Sequence, residues 1–371
     1  ESTLAETLKG VGYTTGHFGK WHLGSVQVGS PVNPGASGFD EWLSAPNFYD
    51  NDPILSREGQ ARQYQGESSM VAADAAIDFI RAHHNEENPF LAVVWFGSPH
   101  KPHEAIEEDK KLYPDQPKAL KDFYGEISGL DRAFGKLRKE IHDLGIAENT
   151  ILWYCSDNGG LPEVGSTGGR GHKGDIYEGG LRVPAFVEWP RQLHEPRTTD
   201  LPCNTCDLYP TLVEIAGAQR EWQLPLDGVS LLPLFSDQMA ERGRGMGFWD
   251  YPVSGIRTPS KEILGELFEA QKRGEQTVRP ELLRMDADKI EKRYPTDTFP
   301  GHAAWLEWPW KLHRIEPEER GAVTYELYQL NEDPMEERDL FSTETEKAKQ
   351  LQEKLREWQV SVVDSLNGED Y

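Results

Sequence analysis

Apolar residues follow two patterns along this chain. Over residues 120–144, Phe123, Ile127, Leu130, Phe134, Leu137, Ile141 and Leu144 alternate steps of four and three, the narrow stripe an α-helix presents to a packing partner. The spacing predicts a helix ended by Gly145. Shorter stripes predict helices over Leu4–Val11, stopped by Gly10 and Gly12, and from Ser68 or Ser69 to about His84, with Met70, Ala73, Ile77 and Ile80 on one face. Asp207–Ala216, closed by Gly217, reads as another. The second pattern has no polar face: Phe90–Phe96 reads FLAVVWF, as expected of a strand covered on both sides in a parallel sheet. Thr150–Tyr154 and Val183–Trp189 are two more buried strands, and Tyr13–Phe18 a short one.

Strands alternating with helices at these intervals predict an α/β fold, a mostly parallel central sheet flanked by helices. Residues 25–66, rich in Pro, Gly and Asn, read as extended loop. After about residue 240 the pattern changes. Residues 254–300 are highly charged and read as an insertion or connecting region, Trp310–Ile315 and Thr324–Leu330 as paired antiparallel strands, and residues 343–363 as an amphipathic helix carrying Leu351, Leu355 and Trp358. The expected organisation is an α/β domain over 1–240 and a smaller α+β subdomain within 241–371.

Charge and composition narrow the function. The 371 residues carry 63 acidic against 39 basic side chains, a net charge of −24, which argues against nucleic acid as a partner and against a basic membrane-surface patch. With 37% hydrophobic residues and 11 Trp the chain can bury a sizeable core. No run approaches the roughly 18 apolar residues of a membrane span. Three cysteines cannot build a disulfide framework. The Cys203-x-x-Cys206 pair has no second pair and no His at zinc-like spacing, so it reads as two thiols on a packed helix. The chain opens without Met, inside a predicted helix, which suggests a fragment.

Each clear strand ends in reactive residue types: Lys20 and His22 after the first, His100 and His103 after FLAVVWF, and Ser156-Asp157-Asn158-Gly159 after the third. A Gly-rich loop adds Arg170, His172 and Lys173. Strand carboxyl ends share one edge of an open parallel sheet, where ligands bind. Lys20 and Lys173 suit the oxygens of a tetrahedral anion, and His22 and His100 can donate or transfer a proton. Asp157 and Asn158 offer hard oxygens to a divalent cation, although Asp-Asn-Gly-Gly also makes an ordinary turn. By residue type alone the ligand is sulfate, phosphate or a carboxylate.

The segment Gly12-Tyr13-Thr14-Thr15-Gly16-His17-Phe18-Gly19-Lys20-Trp21-His22-Leu23-Gly24 resembles a signature of the sulfatase family, in the alkaline-phosphatase-like superfamily. The similarity continues in family order through Ser98-Pro99-His100, Ser156-Asp157-Asn158-Gly159, Lys173 with Glu178–Pro184, Asp207–Leu212, Leu226–Leu231, and Glu326-Leu327-Tyr328 with Asp333-Pro334. The resemblance implies hydrolysis of carbohydrate or aryl sulfate esters with a bound calcium ion. It implies that Asp157 and Asn158 are metal ligands, that Lys20 bridges nucleophile and sulfate, and that His22 hydrogen-bonds the nucleophile. His100 and Lys173 then hold sulfate and assist the departing alcohol. His103, His172 and Arg170 are candidates for supporting or substrate-contacting positions.

The family's nucleophile, a formylglycine made in a Cys/Ser-x-Pro-x-Arg motif, has no counterpart at any proline of this sequence. The resemblance places it, with an acidic metal-binding pair, upstream of Glu1. Calcium takes about 6–8 oxygens, of which Asp157 and Asn158 supply at most about three. The isolated chain is therefore expected to be inactive and, lacking a first strand, poorly soluble. The rivals are a phosphodiesterase or phosphonate hydrolase of the same superfamily and a non-catalytic module that binds sulfated glycans. A periplasmic or secreted location is implied by the resemblance alone.

Overall fold

The computed structural model describes residues 2–85, 87–165, 168–219, 224–252, 257–290, 292–317 and 322–370. The first half runs α1 (Leu4–Lys9), β1 (Thr14–Lys20), β2 (Glu41–Ala45), β3 (Ile54–Arg57), β4 (Gln60–Gln63), α2 (Ser68–His83), β5 (Phe90–Trp95), α3 (Glu107–Lys110), α4 (Lys118–Asp143) and β6 (Leu152–Cys155). The second continues with α5 (Glu178–Leu181), β7 (Ala185–Glu188), α6 (Leu208–Ile215), α7 (Leu232–Phe235), β8 (Met246–Asp250), α8 (Ser260–Lys272), β9 (His302–Glu307), β10 (Trp310–Ile315), β11 (Thr324–Gln329) and α9 (Thr345–Leu366).

A five-stranded sheet in the order β4-β3-β2-β1-β5 forms the centre, with β1 parallel to both β2 and β5 and the β2-β3-β4 steps antiparallel. The sheet is mixed where a mostly parallel one was expected. Residues 25–66 hold β2, β3 and β4 rather than loop alone; strands of four or five residues between Gly and Pro are too short to show a period. FLAVVWF lies at a sheet edge, and its Trp95 is 42% exposed, so it is not covered on both faces. The predicted buried strands at 150–154 and 183–189 become β6 and β7, which pair antiparallel with each other in a separate ladder.

Helix α2 covers the sheet with Val71, Ala72, Ala76, Ile77 and Ile80, and α4 adds Leu137 and Ile141 to the same core. The α2 N-cap is Glu67, whose carboxylate accepts from the Ser69 and Met70 N–H groups, rather than a serine. On α4 the stripe is only partly the buried face: Ile127 is exposed, whereas Asp122, Gly125, Glu126 and Gly129 are buried. The charged stretch 254–300, of which 254–256 and 291 lie outside the described residues, contains α8. Its Leu264 and Leu267 join the core of the central sheet, and the Gln271 side chain accepts from Ala61 N–H at 2.8 Å and donates to Gly59 O at 2.8 Å. Strands β8–β11 form an antiparallel sheet in the order β11-β10-β9-β8, covered by Leu351 and Leu355 of α9.

Candidate active site

Parallel pairing of β1 with β5 sets Gly19 opposite Trp95, so Lys20 and the segment 97–100 leave the sheet side by side. Gly19 has φ +110, and a Cβ there would lie 2.0 Å from Trp95 O, so only glycine allows the strands to exit this closely. Beyond Lys20, Trp21 N–H donates to Ala45 O at 2.8 Å and His22 N–H to Pro46 O at 2.9 Å, which turns His22 into a left-handed conformation at φ 56.

The turn bearing Asp157 and the loop bearing Lys173 are joined backbone to backbone. Lys173 N–H donates to Gly160 O at 2.9 Å, Gly159 N–H to Gly180 O at 3.0 Å, and Gly179 N–H to Arg170 O at 2.7 Å. A Cβ on Gly159 would fall 1.9 Å from Gly179 O.

Electrostatics bring these four stretches together. Half-burial lowers the Lys20 ammonium below its ordinary value, with Asp157 opposing the shift and Lys173 adding to it. His22 is lowered by burial first, then by the charges of Lys20 and Lys173, against Asp157. His100 is lowered by burial, while the carbonyl of Lys101 opposes the shift and Lys173, Lys20 and Asp157 act on it in turn. Lys20, His22 and His100 therefore all lie within reach of the charges of Asp157 and Lys173, around one edge of the sheet. His100 is fixed by its Nδ1–H donating to Lys101 O at 2.7 Å, since a carbonyl can only accept. Its Nε2 is then the nitrogen free to exchange a proton.

Among the described residues, the donors near this edge that could hold a cation are few. Asp157 is exposed, and among the described residues its carboxylate makes no hydrogen bond or ion pair. The Asn158 amide donates to Gly159 O at 3.0 Å, leaving its oxygen as the available ligand atom. Among the described residues no group of three His, Cys, Asp or Glu side chains could hold a metal ion. The donors suit a hard cation in kind but fall short in number.

The three supporting candidates have structural partners. His103 Nδ1 lies 3.1 Å from Glu126 Oε2 with both side chains buried. Arg170 donates to Tyr328 Oη and Glu336 O, both at 3.0 Å, and its guanidinium sits 3.9 Å above the Tyr177 ring. His172 N–H donates to Asp175 Oδ2 at 2.7 Å. Sequence reasoning missed what lies behind the Lys173 loop. Glu178 N–H donates to Glu336 Oε2 at 2.7 Å, and Lys311 Nζ reaches Glu178 at 2.8 Å and Glu336 at 3.0 Å. The only Ser or Cys two residues before a proline is Ser44, before Pro46. Phe48 stands where the nucleophile motif needs Arg, and the Ser44 hydroxyl is buried 2.8 Å from His17 Nδ1.

The Sulfatase family profile matches residues 1–218, more than half of the chain. The chain belongs to the sulfatase family. It is 29% identical over 275 residues to N-acetylgalactosamine-6-sulfatase of Mus musculus, covering 65% of this chain and 50% of that protein. It is 23% identical over 370 residues to an endo-4-O-sulfatase of Bacteroides thetaiotaomicron, covering 88% of this chain and 71% of that one. This sulfatase-family chain thus spans about half the length of the first of these relatives. Its fold matches the crystal structure of Ps i-CgsB in complex with k-i-k-neocarrahexaose at TM-score 0.76 and 21% identity, over 96% of this chain and 73% of that one. No described helix is long and apolar enough to cross a membrane.

Proposed function

We propose that the chain carries the sulfate-holding and leaving-group side of a sulfuric ester hydrolase acting on a carbohydrate or aryl sulfate ester. The observation that supports this reading is that Lys20, His22 and His100 all feel the charges of Lys173 and Asp157, with two lysines drawn to one edge of an otherwise acidic protein. Lys20 and Lys173 hold the sulfate oxygens, where charge grows as the ester bond breaks. His100 takes up a proton from solvent at Nε2 as the anionic ester binds beside it, and passes that proton to the departing alcohol oxygen as the sulfur–oxygen bond cleaves. His22 hydrogen-bonds the nucleophile, a formylglycine contributed by sequence outside these 371 residues. Asp157 and Asn158 would be two of the oxygen ligands of a calcium ion, which when bound would supply neutralisation of sulfate charge. Lowered imidazole values suit a site that binds an anion through lysines while keeping its histidines neutral before substrate arrives. A periplasmic or secreted location fits such a substrate.

The test is hydrolysis of sulfate and phosphate esters, in parallel, by the full-length gene product and by this chain. Sulfate turnover by the full-length protein, lowered at least a hundredfold by Lys173→Ala and absent from the isolated chain, supports the reading. Faster phosphate than sulfate turnover makes the protein a phosphoesterase. Glycan binding without turnover makes it a binding module. Turnover by the isolated chain overturns the assignment of the nucleophile to outside sequence.

A further inference from the structure

We infer that Phe48 is the positioning residue for His100: its ring holds the imidazole plane so that Nε2 faces the ester oxygen. The inference rests on the function proposed above. The Phe48 and His100 rings stack with centroids 5.0 Å apart and planes 25° from parallel. The Nδ1 bond to Lys101 O fixes one ring atom but leaves the imidazole free to swing about that contact. A flat aromatic face against the ring removes this freedom.

Phe48 is itself held on both sides. Two residues earlier, Pro46 O accepts the His22 N–H at 2.9 Å. One residue later, Tyr49 is 3% exposed and lies under Gly97, where a Cβ would come 3.1 Å from its ring. Asn47 N–H donates to Ser260 Oγ of α8 at 3.4 Å. The segment 46–49 thus contacts the backbone of one proposed catalytic histidine and the ring of the other. It fixes the spacing of His22 and His100 without touching sulfate.

A general acid matters most when the leaving alcohol is poor, which separates positioning of His100 from general damage. In the full-length enzyme, Phe48→Ala is expected to lower kcat about tenfold on a sugar or alkyl sulfate, the scale of one aromatic stack. KM should stay unchanged, as should turnover of 4-nitrophenyl sulfate, and Phe48→Tyr should restore the rate. Equal losses on both esters, or none, overturn the inference. His100→Gln is the reference. If it discriminates between the esters and Phe48→Ala does not, the positioning role alone fails. If His100→Gln does not discriminate, the assignment of His100 fails and the role of Phe48 falls with it. Independently of turnover, a histidine NMR titration of the full-length enzyme should show the His100 value rising in Phe48→Ala as burial is relieved. No movement overturns the inference.

Discussion

Lys311 Nζ and Glu336 Oε1 lie 3.0 Å apart with neither side chain reached by water. The same carboxylate accepts from His313 Nε2 at 2.8 Å and from Glu178 N–H at 2.7 Å. Glu178 follows the Lys173 loop, so the C-terminal sheet braces that loop from behind with a charge cluster that only paired groups could occupy.

Glu336→Ala leaves the buried Lys311 short of a partner and should cost about 3–5 kcal/mol of stability, read as a lower urea midpoint. The exposed Lys139–Asp143 pair on α4 gives the contrast. Asp143→Ala should change stability by less than about 0.5 kcal/mol.

Gly159→Ala pushes a methyl group against Gly179 O and should destabilise by about 1–3 kcal/mol or more, measured by thermal unfolding. Gly135→Ala, on α4 with nothing within 4 Å of the added Cβ, should instead stabilise by roughly 0.5–1 kcal/mol.

Burial pushes the Glu126 carboxyl from 4.5 to about 8, with the Glu104 N–H opposing and Asp122, Glu67 and Glu104 adding to the rise. Between these values the folded chain keeps a proton that the unfolded chain has released, so stability falls as pH rises through that window. Denaturant melts at pH about 5 and about 9 should differ by on the order of 1–3 kcal/mol from this group. Glu126→Gln, which cannot ionise, should flatten the difference.

Calcium added to the isolated chain should raise its melting temperature only at millimolar or higher concentration, on the order of 10⁻³ M, as expected of an incomplete oxygen set. Asp157→Ala should abolish the shift. A micromolar response that survives Asp157→Ala would place the ion elsewhere.

The apolar runs made β1, β5 and β6 legible, and with them the strand ends carrying Lys20, His100 and Asp157. Pairing was less legible, because an apolar run states that a strand is covered but not which neighbour it takes. The β6–β7 ladder and the exposed Trp95 both follow from that. Helix α8 was hidden by its charge: Leu264 and Leu267 enter the core, but Lys, Glu and Arg fill the surrounding sequence. The supports of the site, Phe48, Lys311 and Glu336, are the least legible. Their roles come from residues up to about 160 positions away, and no local period encodes such a contact.

The meshing of the two glycine-rich loops sets a limit on how this site can change. Lys173 N–H donates to Gly160 O at 2.9 Å and a Cβ on Gly159 would fall 1.9 Å from Gly179 O, so main chain rests on main chain between the Asp157 turn and the Lys173 loop. The gap between the acidic and the basic post is consequently a property of the peptide itself. Exchange of the surrounding side chains should therefore leave the separation of Asp157 and Lys173 unchanged.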